Sequence, residues 1–235
     1  MARIDLVVRR HRAELMDDPG IDRVRHLHAQ RALARVNRVS FAAARVWREV
    51  MRLAVARSGP VRVLDIACGG GDVLVTVARW ARRRGVLIEL HGCDVSPVAL
   101  GAARASAPNA TDLHFFELDV LGEELPDGYD LICSSLFLHH LSEEFAVRLL
   151  QAMAAATATS LLVQDLRRTH LGYLFAYVGL LLLTRSDVAR SDGLTSVQSA
   201  FTLAEAAKLC AEAGLDGAEI RPCWPQRYSI RWSRS

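Results

Sequence analysis

The feature that most narrows the fold of this chain is an alternation between Val61 and Leu166. Short apolar runs rich in β-branched residues alternate there with segments of helical period. The runs at 61–68 (VRVLDIAC), 87–95 (LIELHGCDV), 113–120 (LHFFELDV), 129–141 (YDLICSSLFLHHL) and 160–166 (SLLVQDL) read as five strands. Helical segments start at Asp72, at Ser96 and at Ser142, the last two carrying a serine suited to an N-cap, with Pro97 at the first helical position. Strands that alternate with helices form a parallel sheet covered on both faces, because each crossover helix must lie on the sheet.

The flanks differ from this core. From Ile21 to Arg57 apolar residues recur at helical spacing and arginines take much of the opposite face, until Ser58-Gly59-Pro60 breaks the pattern. After Leu166 comes an apolar helix, Leu171 to Leu183, then a polar stretch (184–199), then an amphipathic helix ended by Gly214. The runs AEIRPC and RYSIRW, joined across WPQ, read as an antiparallel hairpin. The expected organisation is a helical cap over residues 1–58 and an α/β domain over 59–235, with a helical insert at about 169–200.

Three features in one order point to a nucleoside-bearing ligand. Asp65 lies near the end of the first strand, and Gly69, Gly70 and Gly71 follow in the turn before a helix, where a ligand can rest on bare backbone. Asp94 ends the second strand, 23 residues after Gly71, where a carboxylate can accept the hydroxyls of a ribose. Asp119 follows the third strand and can accept from an adenine amino group. The dinucleotide fingerprint needs glycine or alanine three residues after its second glycine; Leu74 stands there, which argues against a dinucleotide. The lysine and hydroxyl of a P-loop are absent as well.

The stretch VLDIACGGGDVL resembles motif I of the class I S-adenosylmethionine-dependent methyltransferases, with Ala67 in place of the first glycine. The resemblance continues through Asp94, Asp119 and the fourth apolar run, over about residues 61–166. It implies a Rossmann-like, seven-stranded α/β sheet of five parallel strands plus the C-terminal hairpin. It also implies S-adenosyl-L-methionine as cofactor and S-adenosyl-L-homocysteine as product. By this resemblance Asp65, Gly69 and Gly71 surround the methionine part, Asp94 the ribose, and Asp119 and Val120 the adenine, with Ala67 and Val95 also in the cofactor site. Ser134 approaches the methionine carboxylate or the acceptor.

Methyl transfer is an in-line displacement, so the protein mainly aligns its reactants, helped by a base when the acceptor is a hydroxyl or a weakly acidic carbon. The candidate bases are His139, His140 and Asp165, with His170 just beyond, all at the carboxyl ends of strands. A histidine in an LHHL segment also serves as a helix-entry hydrogen-bonding group. The fourth apolar run lacks the Pro-Pro-aromatic segment of nucleic-acid amino-methyltransferases. Asp165 alone does not supply the carboxylates of metal-dependent catechol enzymes, so no metal is expected. Of the 29 cationic residues only Lys208 is lysine, and the arginines are scattered, which gives no footprint for nucleic acid. The five cysteines have no CxxC spacing, and the first twelve residues have no continuous apolar run of the export type, so a reducing cytoplasm and no structural zinc are expected.

The layout resembles the quinone-biosynthesis and phenolic-polyketide methyltransferases of secondary metabolism, which implies a small apolar acceptor methylated on oxygen or carbon. The apolar segment 171–183 is too short to span a bilayer. It suits a pocket wall, a homodimer face or a helix lying against a membrane surface. A non-catalytic cofactor-binding subunit, and a methyltransferase acting on RNA or protein, stand as alternatives.

Overall fold

The computed structural model describes residues 6–12, 14, 15, 20, 22, 24, 25, 28, 35, 41–108, 110–184 and 186–234. Its elements run α1 (Ala42–Val55), β1 (Val61–Ile66), α2 (Asp72–Arg84), β2 (Ile88–Asp94), α3 (Pro97–Ser106), β3 (Leu113–Glu117), β4 (Tyr129–Ser135), a 3-10 turn (Leu138–His140) and α4 (Glu143–Ala156). They continue with β5 (Thr157–Leu166), α5 (His170–Leu183), α6 (Asp187–Ser199), α7 (Leu203–Glu212), β6 (Glu219–Cys223) and β7 (Arg227–Ser233). One seven-stranded sheet has the order β3-β2-β1-β4-β5-β7-β6. The first five strands are mutually parallel, and β7 lies antiparallel between β5 and β6.

Burial explains why these residues take these places. Leu64, Ile66, Ile132, Leu161 and Val163 point to one face, packed with Leu149, Leu150 and Met153 of α4 and Leu209 of α7. Val61, Val63, Leu131, Cys133 and Leu162 point to the other, against Val46 and Val50 of α1 and Val73, Leu74 and Val77 of α2. Alternate residues of a strand face opposite sides, so strands buried on both faces must be apolar throughout. The caps expected at Ser96 and Ser142 form: their hydroxyls accept from the backbone N–H of Ala99 and Phe145. Such a cap contributes ~1 kcal/mol.

Strand order reverses between β1 and β4. In an open α/β sheet the crevice at that reversal, beyond the carboxyl ends of the strands, is the ligand site.

Two expectations need correction, at the fourth apolar run and at the helix before Ser58, and the polar part of the expected helical insert takes a definite form. The fourth apolar run is a strand only to Ser135; Leu136 takes a left-handed φ of 61°, and residues 138–140 form the 3-10 turn. The polar stretch after α5 is helix α6, capped by the Ser186 hydroxyl. It is helical because its polar residues find partners inside the fold: Asp192 and Ser196 are both buried and bonded to the N-terminal segment. The helical pattern expected over 21–57 is interrupted at Phe41, whose φ of 58° is left-handed; the described residues Val24, Arg25, His28 and Arg35 before it are helical, and α1 ends at Val55. Most of its first half lies outside the described residues.

Candidate active site

The glycine turn is built from backbone geometry. Ala67, Gly69 and Gly71 all have positive φ (52°, 53° and 70°), and Gly71 is the N-cap of α2. Behind the turn the packing is tight. A Cβ on Gly71 would lie 2.6 Å from the Phe115 ring, and one on Gly92 would lie 2.8 Å from Cys68 Sγ. In front it is open, for a Cβ on Gly69 or Gly70 would meet nothing within 4 Å. The loop therefore presents bare backbone outward while Phe115 supports it from behind.

Asp94 ties this turn to the end of β2. Its two oxygens accept from Gly69 N at 2.8 Å and from Ser96 N at 2.9 Å. A carboxylate has about four lone-pair sites, so two remain for a ligand. Val95 is exposed beside it. Asp119 is exposed; it accepts from Leu121 N at 3.0 Å and folds over Gly122, while Val120 is buried in the core beneath.

Two of the expected site residues sit deeper. Asp65 is buried in the sheet and accepts from the Cys133 thiol at 3.5 Å. Burial pushes its carboxyl up to about 7, against the weaker opposing effect of that thiol. Ser134 is buried and donates to the Ile66 carbonyl at 3.1 Å, cross-linking β4 to β1. Its neighbour Ser135 is the more accessible hydroxyl, accepting from Gln164 Nε2 at 3.3 Å.

His139, His140 and Asp165 come together at the ends of β4 and β5. Asp165, fully buried, accepts from His139 N at 2.9 Å and pairs with His139 Nδ1 at 2.7 Å. Leu166 N donates to it at 2.5 Å. The His139 and His140 rings lie 4.3 Å apart. His139 is buried; His140 is partly exposed.

Glu14 completes the group, and local sequence reasoning had no means of finding it. Its carboxylate lies 3.4 Å from His139 Nε2 and 3.8 Å from His140 Nε2, and it accepts from the Ser196 hydroxyl. Burial would lower the His139 pKa, but the charges and hydrogen bonds of Asp165 and Glu14 outweigh it and raise the imidazole to about 10. Both carboxylates are lowered, burial being outweighed by the facing histidine. Glu14 reaches this place because the segment before it is strapped to the domain. Arg9 donates to the carbonyls of Ser199, His139 and Leu141 at 2.6, 3.1 and 2.6 Å. The buried Arg168 donates to Leu6 O at 3.0 Å while it pairs with Glu205 at 2.6 Å.

The insert flanks the same edge. Helix α5 packs on α6, where Gly193 leaves room for Leu180. Its other side exposes Leu171, Leu174, Tyr177, Val178, Leu181 and Leu182, and Phe175 meets the Trp224 ring at 5.8 Å. Among the described residues no helix is long and apolar enough to cross a membrane. The further candidate His170 is an exposed first residue of α5.

Comparison with known proteins agrees with this architecture. Residues 63–160 match the family described as a methyltransferase domain. An uncharacterized methyltransferase of Synechocystis is 37% identical over 84 residues, covering 34% of each chain. A ubiquinone biosynthesis O-methyltransferase of Neisseria meningitidis is 25% identical over 164 residues, 68% of this chain and 66% of that protein. The chain thus spans about a third of the first relative and just under two thirds of the second. Among solved structures, the magnesium protoporphyrin IX methyltransferase of Synechocystis with bound S-adenosylhomocysteine has a TM-score of 0.57 at 16% identity. That match covers 93% of this chain and 90% of that one. An O-methyltransferase family 2 protein of Planctomyces limnophilus, in complex with apigenin, has a TM-score of 0.58 at 19% identity, covering 93% and 63%. These structures share the fold.

Proposed function

We propose that the chain, whose residues 63–160 match a methyltransferase domain, transfers a methyl group from S-adenosylmethionine to a small, apolar, phenolic or quinone-like acceptor. The observation that carries this reading is the pairing of an open backbone cradle at Gly69–Gly71 with the half-buried Asp94, both beside the β1–β4 reversal. The residues fit the cofactor. The turn has open space in front of Gly69 and Gly70, and Asp94 keeps acceptor capacity for two ribose hydroxyls. Val95 flanks that ribose position, and Asp119 with Val120 takes the adenine.

When bound, the cofactor supplies a methyl group on a sulfonium, ready for displacement. The chain's own part is to place the acceptor and handle its proton. Asp165 and the backbone around it hold His139 in one orientation, and both of its ring nitrogens face a buried carboxylate, Asp165 on one side and Glu14 on the other. The partly exposed His140 is then the histidine that takes a proton from an acceptor hydroxyl, with His139 and Asp165 as positioning residues. The N-terminal segment covers these groups and excludes water, which strengthens the interactions beneath it.

The acceptor class rests on the exposed apolar side of α5 beside Trp224. That side gives an apolar molecule, or the membrane surface that carries one, a place to adsorb. The similarity to a ubiquinone biosynthesis O-methyltransferase supports the same class. A screen of methyl-donor consumption over phenols, quinones and polyketide pyrones, with product mass and fragmentation read out, tests the proposal and separates O- from C-methylation. Absence of S-adenosylhomocysteine binding in calorimetry on folded protein would sink it.

A further inference from the structure

We propose that Glu14, His139 and His140 form a site for one divalent first-row transition-metal ion. One ligand atom from each lies within 4.8 Å of the others. The Glu14 oxygens stand 3.4 Å from His139 Nε2 and 3.8 Å from His140 Nε2. A tetrahedral ion with bonds of about 2.0–2.2 Å holds its ligand atoms roughly 3.4 Å apart, so small movements close the shell. Two imidazoles and one carboxylate are a donor set used by zinc and by non-haem iron, and three protein ligands leave a position open.

The surroundings carry the marks of a supported site. A metal-bound histidine usually gives its other ring nitrogen to a carboxylate, which fixes the ring. His139 does so through Asp165 at 2.7 Å, and Asp165 is itself held by two backbone N–H groups. The Ser196 hydroxyl holds Glu14, and His11 meets the His140 carbonyl at 2.8 Å. Two buried carboxylates, Glu14 and Asp165, face His139 and call for a cation between them. That cation is either a metal ion or a proton on His139, and the two are distinguishable. An ion here would also clamp the N-terminal segment to the ends of β4 and β5. No metal was expected from local spacing because the third ligand lies more than 120 residues from the histidines.

An ion on His140 would displace that histidine from the role of proton acceptor, so the inference rests neither on the proposed base nor on methyl transfer, and binding is read with neither donor nor acceptor present. Full-length protein is stripped with a chelator, desalted and titrated with Zn²⁺ and, in parallel, Co²⁺. Elemental analysis gives the stoichiometry, and cobalt absorption reports the coordination. One ion per chain is expected, with tetrahedral-type cobalt bands. The double variant Glu14→Gln, His140→Asn should retain none, and Asp165→Asn should weaken binding by about 10–100-fold. Circular dichroism shows which variants are folded; His140→Asn alone, at a partly exposed position, decides the matter if the others are not. Zinc retention no higher than that of the double variant, or undiminished binding in His140→Asn, overturns the proposal. The first of these results leaves a proton on His139 as the buried cation.

Discussion

The two sides of the site at the carboxyl edge of the sheet are built in different ways. The turn at Ala67–Gly71 is made of backbone: positive φ angles, absent side chains and one carboxylate, all within 28 residues. The histidine cluster beside it is made of side chains drawn from distant places, with Glu14 meeting His139 across more than 100 residues and Arg168 holding the Leu6 carbonyl. A backbone site fails when anything is added to it. A side-chain site fails when one partner is taken away.

The largest effect should therefore come from removing a buried partner. Asp165→Leu leaves His139 facing only Glu14 and strands two backbone N–H groups. We expect a loss of about 3–5 kcal/mol of stability, read as a shift in the urea midpoint. A variant as stable as wild type would show that this side is not held by charge pairing.

Next comes the addition of one methyl group to the backbone side. Gly71→Ala drives a Cβ into Phe115 and forces alanine to a positive φ. Overpacking of this kind costs about 1–3 kcal/mol, and S-adenosylhomocysteine affinity should fall with it, as calorimetry would show. Gly70→Ala, with open space and no positive φ, should be tolerated by the fold. Equal stability losses at the two positions would break the distinction between the packed back and the open front of the turn.

Asp65 sharpens the contrast through pH. Its pKa is raised from 3.8 to about 7 by burial, so the folded state holds a proton that the unfolded state releases. This contribution to stability is fully present below pH ~3.8, declines as pH rises toward 7 and is gone above it. Asp65→Asn should remove that slope, so the variant gains on wild type from pH 5 to pH 8 in denaturant midpoints. Parallel curves for the two proteins would mean that Asp65 does not titrate in this range.

The smallest effect on folding is expected on α5. Leu174→Glu and Leu181→Glu change exposed positions, where stability moves by within about 0.5 kcal/mol. If this face receives apolar acceptors or a lipid surface, sedimentation with anionic vesicles or affinity for a long-chain phenol should drop markedly. Unchanged binding would assign the face another role.

How much could be read in advance follows the same division. The strands, the serine caps and the hairpin were legible because each depends on neighbours along the chain. So were the turn and Asp94, whose spacing is set by a single strand–helix–strand unit. Leu136 was not legible: it is an ordinary apolar residue of the run, yet its left-handed backbone ends β4 there. Which face of α6 turns inward was not legible either, because its Asp192 and Ser196 are inside only through partners on the N-terminal segment. Ser134 and Asp65 stood at the expected positions, yet their depth in the sheet depends on what packs over them.

Sequence by itself determined the parallel sheet, the strand-to-helix glycine turn and the carboxylate after β2, since hydrophobic period and backbone freedom are local properties. Tertiary structure alone decided that His139 points one nitrogen at Asp165 and the other at Glu14. Burying a charge is costly unless an opposite charge is brought to it, and which residue supplies that charge depends on how the whole chain closes.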